Sequence, residues 1–291
     1  METQELIKKV RKIEIKTRGL SNQLFSGEYH TAFKGRGMAF SEVREYQSGD
    51  DVRLIDWNVT ARSGDAYIKI FEEERELTTM LLVDVSGSKI FGTGDQSKKD
   101  LITELSAVLS FSAIQNNDKV GVIFFSDKVE KYIPPKKGKS HILRIIRELI
   151  EFEPESKMTN IGAALEFFTS VVKKRAIVFL MSDFISPQFE NPLRIVVKRH
   201  DLVAVKLYDE KENHLPNIGL VNVEDSETGK TMWIDTSDKK TIAKFEKERS
   251  DYNFKLESLL MKNKVDIIKL RTDESYIIPL RQFFKNRESR R

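Results

Sequence analysis

From about residue 77 onward, short apolar runs alternate with amphipathic segments, and this alternation restricts the possible folds more than any other feature. The first apolar run is Leu77–Val85 and the last is Val265–Leu270. The amphipathic segments have helical spacing and include Ser97–Asn117 and Asp238–Lys262. Continuous apolar strands separated by helices are typical of a parallel sheet covered on both faces. We therefore predict a doubly wound, mostly parallel α/β domain, Rossmann-type in its layering, over residues 77–291.

Other segments complete this pattern. The further predicted strands are Lys119–Phe125, Val129–Ile133, Ala176–Met181 and Leu202–Leu207. The further predicted helices are Ser140–Ile150, with Ser140 as the cap, Asn160–Lys173, Pro192–Arg199 and Ser275–Phe284. Leu215–Thr236 predicts a small β-hairpin insertion. Residues 1–76 are predicted to form an N-terminal extension, with a helix over residues 2–18 and with extended segments and turns over Gly27–Arg75.

The composition excludes several classes of protein. The chain has no cysteine, which excludes disulfides, thiolate catalysis and cysteine-ligated zinc, and its four histidines show no metal-binding spacing. Its 49 basic and 45 acidic residues nearly balance, so the net charge of +4 does not by itself indicate a nucleic-acid-binding protein. No apolar run approaches the roughly 18 residues of a membrane helix, and the charged N-terminus is unlike a signal peptide. We therefore expect no membrane span and a cytoplasmic location.

Oxygen-bearing side chains occur in three segments that should meet at one edge of the sheet. Asp84, Ser86 and Ser88 lie where the first buried strand ends, Thr159 comes just before a helix, and Asp183 follows the third buried strand. Loops after parallel strands converge on the carboxyl edge of the sheet. Hydroxyl and carboxylate oxygens suit Mg²⁺ or Mn²⁺. Each residue also has an ordinary structural explanation, as a helix cap or as a turn residue.

This arrangement resembles the metal-ion-dependent adhesion site of von Willebrand factor A domains, and the resemblance covers about residues 77–285. It implies that Ser86, Ser88 and Thr159 contact the cation. Asp84 and Asp183 would bind the cation directly or through water. The resemblance also implies that an acidic side chain of a partner protein completes the coordination of the metal.

A second pattern precedes the predicted domain, in Gly35–Glu76. It contains GDDVR at Gly49–Arg53, IDWN at Ile55–Asn58 and TAR at Thr60–Arg62. This block resembles the signature of the bacterial family catalogued as domain of unknown function 58, whose members carry it directly before an A-type domain. Short members are taken to work with a MoxR-type AAA+ ATPase. The resemblance therefore implies an adaptor for such an ATPase, acting in the assembly or maturation of protein complexes.

The block itself permits two interpretations. Its acids and arginines can form a structural network, since arginine pairs bidentately with carboxylates, and Phe40, Tyr46 and Trp57 would serve as apolar anchors. Removal of Arg53 or Asp56 would then leave a partly buried charge unpaired. The block can instead be a second interaction surface or a phosphate site, although its glycines do not match a P-loop.

These observations favour a non-enzymatic, Mg²⁺-dependent protein-interaction module. One alternative is a metal-dependent hydrolase or phosphatase. An aspartyl nucleophile would need a second acid two residues on, where Ser86 stands, and no serine, histidine and aspartate are placed for nucleophilic catalysis. Another alternative is nucleic-acid binding through the basic segments Lys8–Lys12 and Arg281–Arg291, which are more often solvated surfaces.

Overall fold

The computed structural model of the 291-residue chain describes Lys8, residues 10–17, Leu20 and residues 38–73, 77–86, 97–212, 217–224 and 231–289. The chain divides into two compact units. One unit is Phe33–Leu77, and the other combines Met1–Ala32 with Thr78–Arg291. The described residues that precede Phe33 thus group with the larger unit rather than with the segment that follows them.

A six-stranded sheet forms the centre of the larger unit. Its strands, in chain order, are β3 (Thr78–Asp84), β4 (Lys119–Phe125), β5 (Val129–Lys136), β6 (Ile177–Ser182), β7 (Asp201–Tyr208) and β10 (Asp266–Arg271). Their spatial order is β10-β7-β6-β3-β4-β5, and only β5 is antiparallel to its neighbour. Numbered within the sheet and read from β5, this is the 3-2-1-4-5-6 order of doubly wound folds. The predicted fold class is confirmed.

Helices cover both faces of this sheet. They are α2 (Lys98–Gln115), α3 (Lys139–Glu151), α4 (Ile161–Val171), α5 (Glu190–Arg199), α6 (Lys239–Lys262) and α7 (Ile277–Ser289). On one face Met80, Leu82 and Leu180 form a core with α4, α5 and α6. On the other face the Ser106 hydroxyl of α2 lies 3.6 Å from Met181 Sδ. Each fully buried large apolar side chain stabilises the fold by roughly 1.5–3 kcal/mol.

The edge of the sheet at β5 shows local adjustments that the sequence explains. The register between β4 and β5 shifts between Val120 and Val122. A Cβ at Gly121 would lie 2.9 Å from the Pro135 nitrogen, so the close approach of the strands requires glycine. Pro134 and Pro135 lack a backbone N–H and are tolerated because β5 is an edge strand.

Residues 10–17 are helical, within the predicted helix over residues 2–18. Val10 and Ile13 pack against a cluster between α2 and α3. Lys16 Nζ lies 2.7 Å from a carboxylate oxygen of Glu104, and Glu14 pairs with Lys139 at 2.5 Å. The predicted cap of α3 is wrong, because the helix begins at Lys139 after Gly138, and no side chain caps it.

The smaller unit contains a two-stranded antiparallel sheet of β1 (Met38–Glu45) and β2 (Tyr67–Glu73), with the short helix α1 (Trp57–Ser63) between them. The absence of helical periodicity had predicted extended segments and turns here, so α1 corrects that expectation. Seven residues are too few to show a period, and the helix depends on its caps. The Asp56 carboxylate accepts hydrogen bonds from two N–H groups at its start, and Gly64 ends it with a φ of 84°.

The predicted hairpin insertion is present as β8 (Leu220–Glu224) paired antiparallel with β9 (Thr231–Asp235). It belongs to the larger unit. Trp233 and Met232 are largely exposed on it. In the part of the chain that the structure describes, no helix combines the length and the apolar character needed to cross a membrane.

Candidate metal site

Asp84 ends β3, directly beside the point where the strand order of the sheet reverses. That point lies between β3 and β6, and open α/β sheets bind ligands outside the strand ends there. The Asp84 side chain is almost fully buried. Its Oδ1 accepts a hydrogen bond of 3.0 Å from the Ser86 N–H, and its Oδ2 accepts one of 2.6 Å from the Ser182 hydroxyl. The carboxylate is thus held in one orientation by two donors.

Thr159 and Ser86 are brought together from segments 73 residues apart in the chain. The Thr159 hydroxyl donates to Ser86 Oγ over 2.8 Å, and both side chains are buried. Thr159 does not cap the following helix. That role belongs to Asn160, whose side-chain oxygen accepts the Ala163 N–H of α4 at 3.1 Å. The loop is also tied to the end of β4, because the Asn160 N–H donates to the Ser126 carbonyl oxygen at 2.8 Å.

Asp183 follows β6 and is carried by an unusual turn. Phe184 has a φ of 66°, a left-handed conformation that is rare for a bulky residue. Its N–H donates to the Ser182 hydroxyl at 2.9 Å, and its carbonyl accepts the Tyr252 hydroxyl. The Asp183 Oδ1 accepts the Ile185 N–H at 3.0 Å. Backbone strain of this kind is often found at functional sites, where the surrounding structure holds it in place.

The structure therefore joins Asp84, Ser86 and Thr159 by direct hydrogen bonds. Asp183 lies at the same edge, next in the chain to Ser182, which binds the Asp84 carboxylate. Both acids also bond to a backbone N–H two residues on, which is the ordinary turn role of aspartate. Ser88, the remaining predicted ligand, lies outside the described residues.

Three residues beside this group were not predicted from the sequence. Ser182 is a hydroxyl in an otherwise apolar strand, and its position next to Asp183 was the available signal. Lys98, the first residue of α2, is only 2% exposed, and its ammonium nitrogen lies 3.5 Å from the Asp183 Oδ2. Glu212 pairs with the same ammonium group. Nothing in the local sequence marks this lysine as buried, because its partners are distant in the chain.

A second buried cation lies on β7. Burial lowers the pKa of Lys206, and the nearby carboxylates of Glu257 and Asp183 partly oppose this effect. Lys206 donates a hydrogen bond to the side-chain oxygen of Asn253. The Asp183 carboxylate therefore stands near two positive groups, of which Lys98 makes direct contact.

The donor chemistry of this edge fits a hard divalent cation. Asp84, Ser86, Thr159 and Asp183 present carboxylate and hydroxyl oxygens from three different loops, and all four are buried. In the described part of the chain, no three acidic, histidine or cysteine side chains group together to hold a metal. A cation here would therefore depend on hydroxyl oxygens, with only two carboxylates to offset its charge.

A depression of about 290 Å³ opens beside Ser86. Val85, Ile102 and Phe152 give it apolar walls, and Lys99 and Lys157 lie at its border. The Lys99 ammonium donates to the Phe152 carbonyl at 3.2 Å. Glu153 also lines the depression, which is thus a mainly apolar surface with charges of both signs, next to the candidate ligands.

The chain is similar to a family of known proteins. The family model described as "Protein of unknown function DUF58" matches residues 42–253, which is more than half of the chain. The chain is 28% identical over 223 residues to the uncharacterized protein Rv1480 of Mycobacterium tuberculosis, a match that covers 76% of this chain and 70% of that protein.

Two solved structures show a weaker likeness. One is the conserved hypothetical protein BatB from Bacteroides thetaiotaomicron, with 14% identity, a TM-score of 0.47, and coverage of 74% of this chain and 100% of that chain. The other is proximal thread matrix protein 1 from the mussel byssus with a zinc-occupied MIDAS motif, with 19% identity, a TM-score of 0.38, and coverage of 45% and 38%. At these TM-scores, nothing about the function of this chain follows from either structure.

Proposed function

The chain belongs to the family described as "Protein of unknown function DUF58", and from this membership and the site geometry we propose a non-enzymatic, metal-dependent protein-interaction module. The module binds Mg²⁺ or Mn²⁺ through Asp84, Ser86, Ser88, Thr159 and Asp183. The cation in turn binds an acidic side chain of a partner protein. The partner that the family resemblance implies is a MoxR-type AAA+ ATPase, for which this chain serves as an adaptor in complex assembly or maturation.

The observation that carries this proposal is the bond between the Thr159 and Ser86 hydroxyls at 2.8 Å, next to the doubly bonded Asp84 carboxylate. Because Asn160 caps α4, the buried Thr159 hydroxyl is not needed to begin that helix. Buried hydroxyls from separate loops give a cation oxygen ligands without neutralising its charge. Mg²⁺ in such a site keeps open positions and favours an external carboxylate.

The depression beside Ser86 supports an acidic partner. Lys99 and Lys157 outnumber Glu153 in its lining, so the charge there favours the approach of a carboxylate to the cation. An apolar side chain adjacent to that carboxylate would fit against Ile102 and Phe152. The proposed partner therefore presents an acidic residue beside an apolar one.

Hydrolysis is the alternative function, and the positions of the described histidines speak against nucleophilic catalysis at this site. His141 bonds to the Val120 carbonyl at 2.9 Å, near the start of β4. His200 precedes β7 and packs on Phe168. Both lie toward the opposite edge of the sheet from Ser86 and Thr159, so neither is placed to activate those hydroxyls. Release of phosphate from aryl phosphates by the wild-type chain, but not by Asp84→Ala, would support the hydrolase instead.

The first experiment tests the metal. A cation present at a concentration of ten times its Kd for the folded chain raises the free energy of unfolding by about 1.4 kcal/mol. For a domain of this size, that increase raises Tm by about 2–4 °C. Millimolar Mn²⁺ or Mg²⁺ should raise the Tm of the wild type, and Asp84→Ala combined with Ser86→Ala should abolish the rise. The control double variant, Asp118→Ala with Ser112→Ala, removes the same types of side chain toward the opposite edge of the sheet. It should keep the rise in Tm. An equal rise in the first double variant would place the cation elsewhere.

The second experiment tests the partner. An immobilised wild-type chain should retain a MoxR-type ATPase in Mg²⁺, lose it in EDTA and recover it when Mg²⁺ is restored. Thr159→Ala should weaken retention about tenfold, or about 1.4 kcal/mol. Thr169→Ala, which removes a hydroxyl that bonds to the Leu165 carbonyl of its own helix, should not. The ATPase binds Mg²⁺ with its own nucleotide, so these variants are needed beside the chelator. If Thr159→Ala and Asp84→Ala retained the ATPase as well as the wild type does, the binding site would lie on another face of the chain.

A further inference from the structure

Lys98 occupies a position that is unfavourable for a cation in two respects. Its side chain is almost fully buried, and a buried ammonium group is strongly destabilising unless it is paired. It is also the first residue of α2, where the helix dipole is positive and favours acids. Ser97 and Asp100 already complete the capping box there, with the Ser97 hydroxyl 2.7 Å from the Asp100 carboxylate. The helix start therefore has no need of Lys98.

Two carboxylates offset these unfavourable terms. The Asp183 Oδ2 lies 3.5 Å from the Lys98 nitrogen, and Glu212 makes a closer contact with the same group. Glu212 is 114 residues away in the chain, in a turn that follows β7. Its other oxygen accepts the Asp209 N–H at 3.3 Å, and Asp209 accepts the Thr272 hydroxyl at 2.8 Å. The ammonium group is thus held from outside the candidate metal site.

We propose that Lys98 is an internal competitor of the metal ion, which lowers the affinity of the site for a divalent cation and makes a stable complex depend on the partner's carboxylate. This inference rests on the proposed function. A cation that draws on Asp183 must share that carboxylate with the ammonium group and is repelled by it. The bound cation then receives less negative charge from the protein, so it gains more from an external acid.

Glu212 gives Lys98 a partner both with and without a bound metal. Because Glu212 also pairs with Lys98, the ammonium group keeps a partner when a metal engages Asp183. Lys98 can therefore remain buried in both states. A lysine that served only to neutralise Asp183 would be left unpaired in the metal-bound state.

The test measures Mn²⁺ affinity on the purified full chain by the electron paramagnetic resonance signal of free Mn²⁺. Lys98→Met should bind Mn²⁺ about tenfold more tightly than wild type, since a unit charge a few ångströms from a divalent cation has about that effect even with strong screening. Lys98→Met combined with Glu212→Gln keeps the net charge and does not leave Glu212 facing a missing lysine. It should still bind a few-fold more tightly, because the removed cation is the nearer charge.

Lys139→Met is the matched control. It also breaks a lysine–glutamate pair, with Glu14, and it begins α3 after β5 has run to the opposite edge of the sheet. Its Mn²⁺ affinity should stay within about twofold of wild type, because charges that far from the site are screened. If Lys139→Met gained as much Mn²⁺ affinity as Lys98→Met, the effect would come from the net charge of the chain. That result would overturn the inference.

The remaining outcomes separate the two proposals. If the wild type binds Mn²⁺ and neither Lys98 variant binds it more tightly, the competitor role is wrong while the metal site stands. If only the Lys98 variants bind Mn²⁺ measurably, the inference holds in its strongest form. If no variant binds Mn²⁺, the metal-dependent function fails and this inference fails with it. Should Lys98→Met not fold, the charge-balanced double variant decides.

Discussion

Thr159 and Asn160 are neighbours with separate tasks. Either could cap α4 by residue type, and the structure assigns the cap to Asn160. Thr159 then extends its hydroxyl to Ser86, on a loop that follows a different strand. A single hydrogen bond of this kind contributes only about 1 kcal/mol to stability. The significance of Thr159 therefore lies in where its oxygen is placed rather than in its contribution to the fold.

His200 is a residue whose charge state should affect stability. It is buried at the end of α5, and its ring lies 4.6 Å from that of Phe168. Within the described part of the chain, neither ring nitrogen has a hydrogen-bond partner. Burial, together with the charges of Arg199 and Arg175, lowers the pKa of His200 to about 4. The folded chain thus keeps this ring neutral at a pH where the unfolded chain protonates it.

The pH dependence of unfolding should reflect this difference. Between pH 6.5 and about 4 the unfolded state binds the extra proton, so the contribution of His200 favours unfolding increasingly as the pH falls. Between pH 7 and pH 5 this loss amounts to about 2 kcal/mol. Over the same pH range, the free energy of unfolding measured with urea should fall by that much less in His200→Leu than in the wild type. An unchanged pH dependence in His200→Leu would contradict the assigned shift.

At the scale of elements, the smaller unit contains a set of ion pairs between its segments. Arg44 pairs bidentately with Asp50 at 2.8 and 2.9 Å, and Lys69 lies 3.5 Å from Asp56. The Arg44 guanidinium and the Gln47 N–H lower the pKa of Asp50. Ile68 is a buried apolar side chain of this unit. Part of the expected acid–arginine network is therefore present inside the unit.

Two expectations about this block are wrong. Arg53 is exposed, so its removal leaves no buried charge unpaired. Trp57 is 70% exposed, so it is not an apolar anchor. With Val52 and Leu54, which are also exposed, Trp57 gives the unit an apolar surface. That surface keeps the interaction-surface interpretation open, and it is the face to test if binding does not require the metal.

The start of α1 should depend on Asp56 and not on Arg53. The Asp56 carboxylate accepts the Asn58 and Val59 N–H groups at 3.0 and 3.3 Å. Asp56→Ala should speed hydrogen exchange at these two amides about fivefold, the effect of losing a typical cap. Arg53→Ala serves as the control and should leave both rates unchanged, as followed by NMR. Equal effects of the two variants would instead indicate a coupled network.

At the scale of the whole molecule, the basic C-terminal segment is partly neutralised by the fold. Arg287 pairs with Asp201 and lies 3.4 Å from Asp266. Its guanidinium also stacks over the Phe283 ring at 5.7 Å. The net charge of +4 does not by itself indicate a nucleic-acid-binding protein.

Binding to DNA should accordingly be weak. In fluorescence anisotropy with a labelled duplex, Kd should exceed about 10 µM at physiological salt, within the range of non-specific binding. Raising the salt concentration should remove the residual signal. Arg281→Ala, at an exposed position of α7, is a suitable probe and should change little. Submicromolar binding with a steep salt dependence that Arg281→Ala reduces would favour the nucleic-acid alternative.

The layered fold and the edge at which the candidate ligands lie can be predicted from the amino-acid order alone, because buried parallel strands require unbroken apolar runs and end at polar residues. The folded structure was needed to show which oxygens meet, since Asp84 and Ser182 are 98 residues apart and no local pattern encodes their contact. It also decided that Lys98 is buried, because its burial depends on Asp183 and Glu212, whose positions are set by other strands. Short-range patterns report hydrophobic periodicity, whereas electrostatic pairing depends on distances that exist only after the sheet has formed.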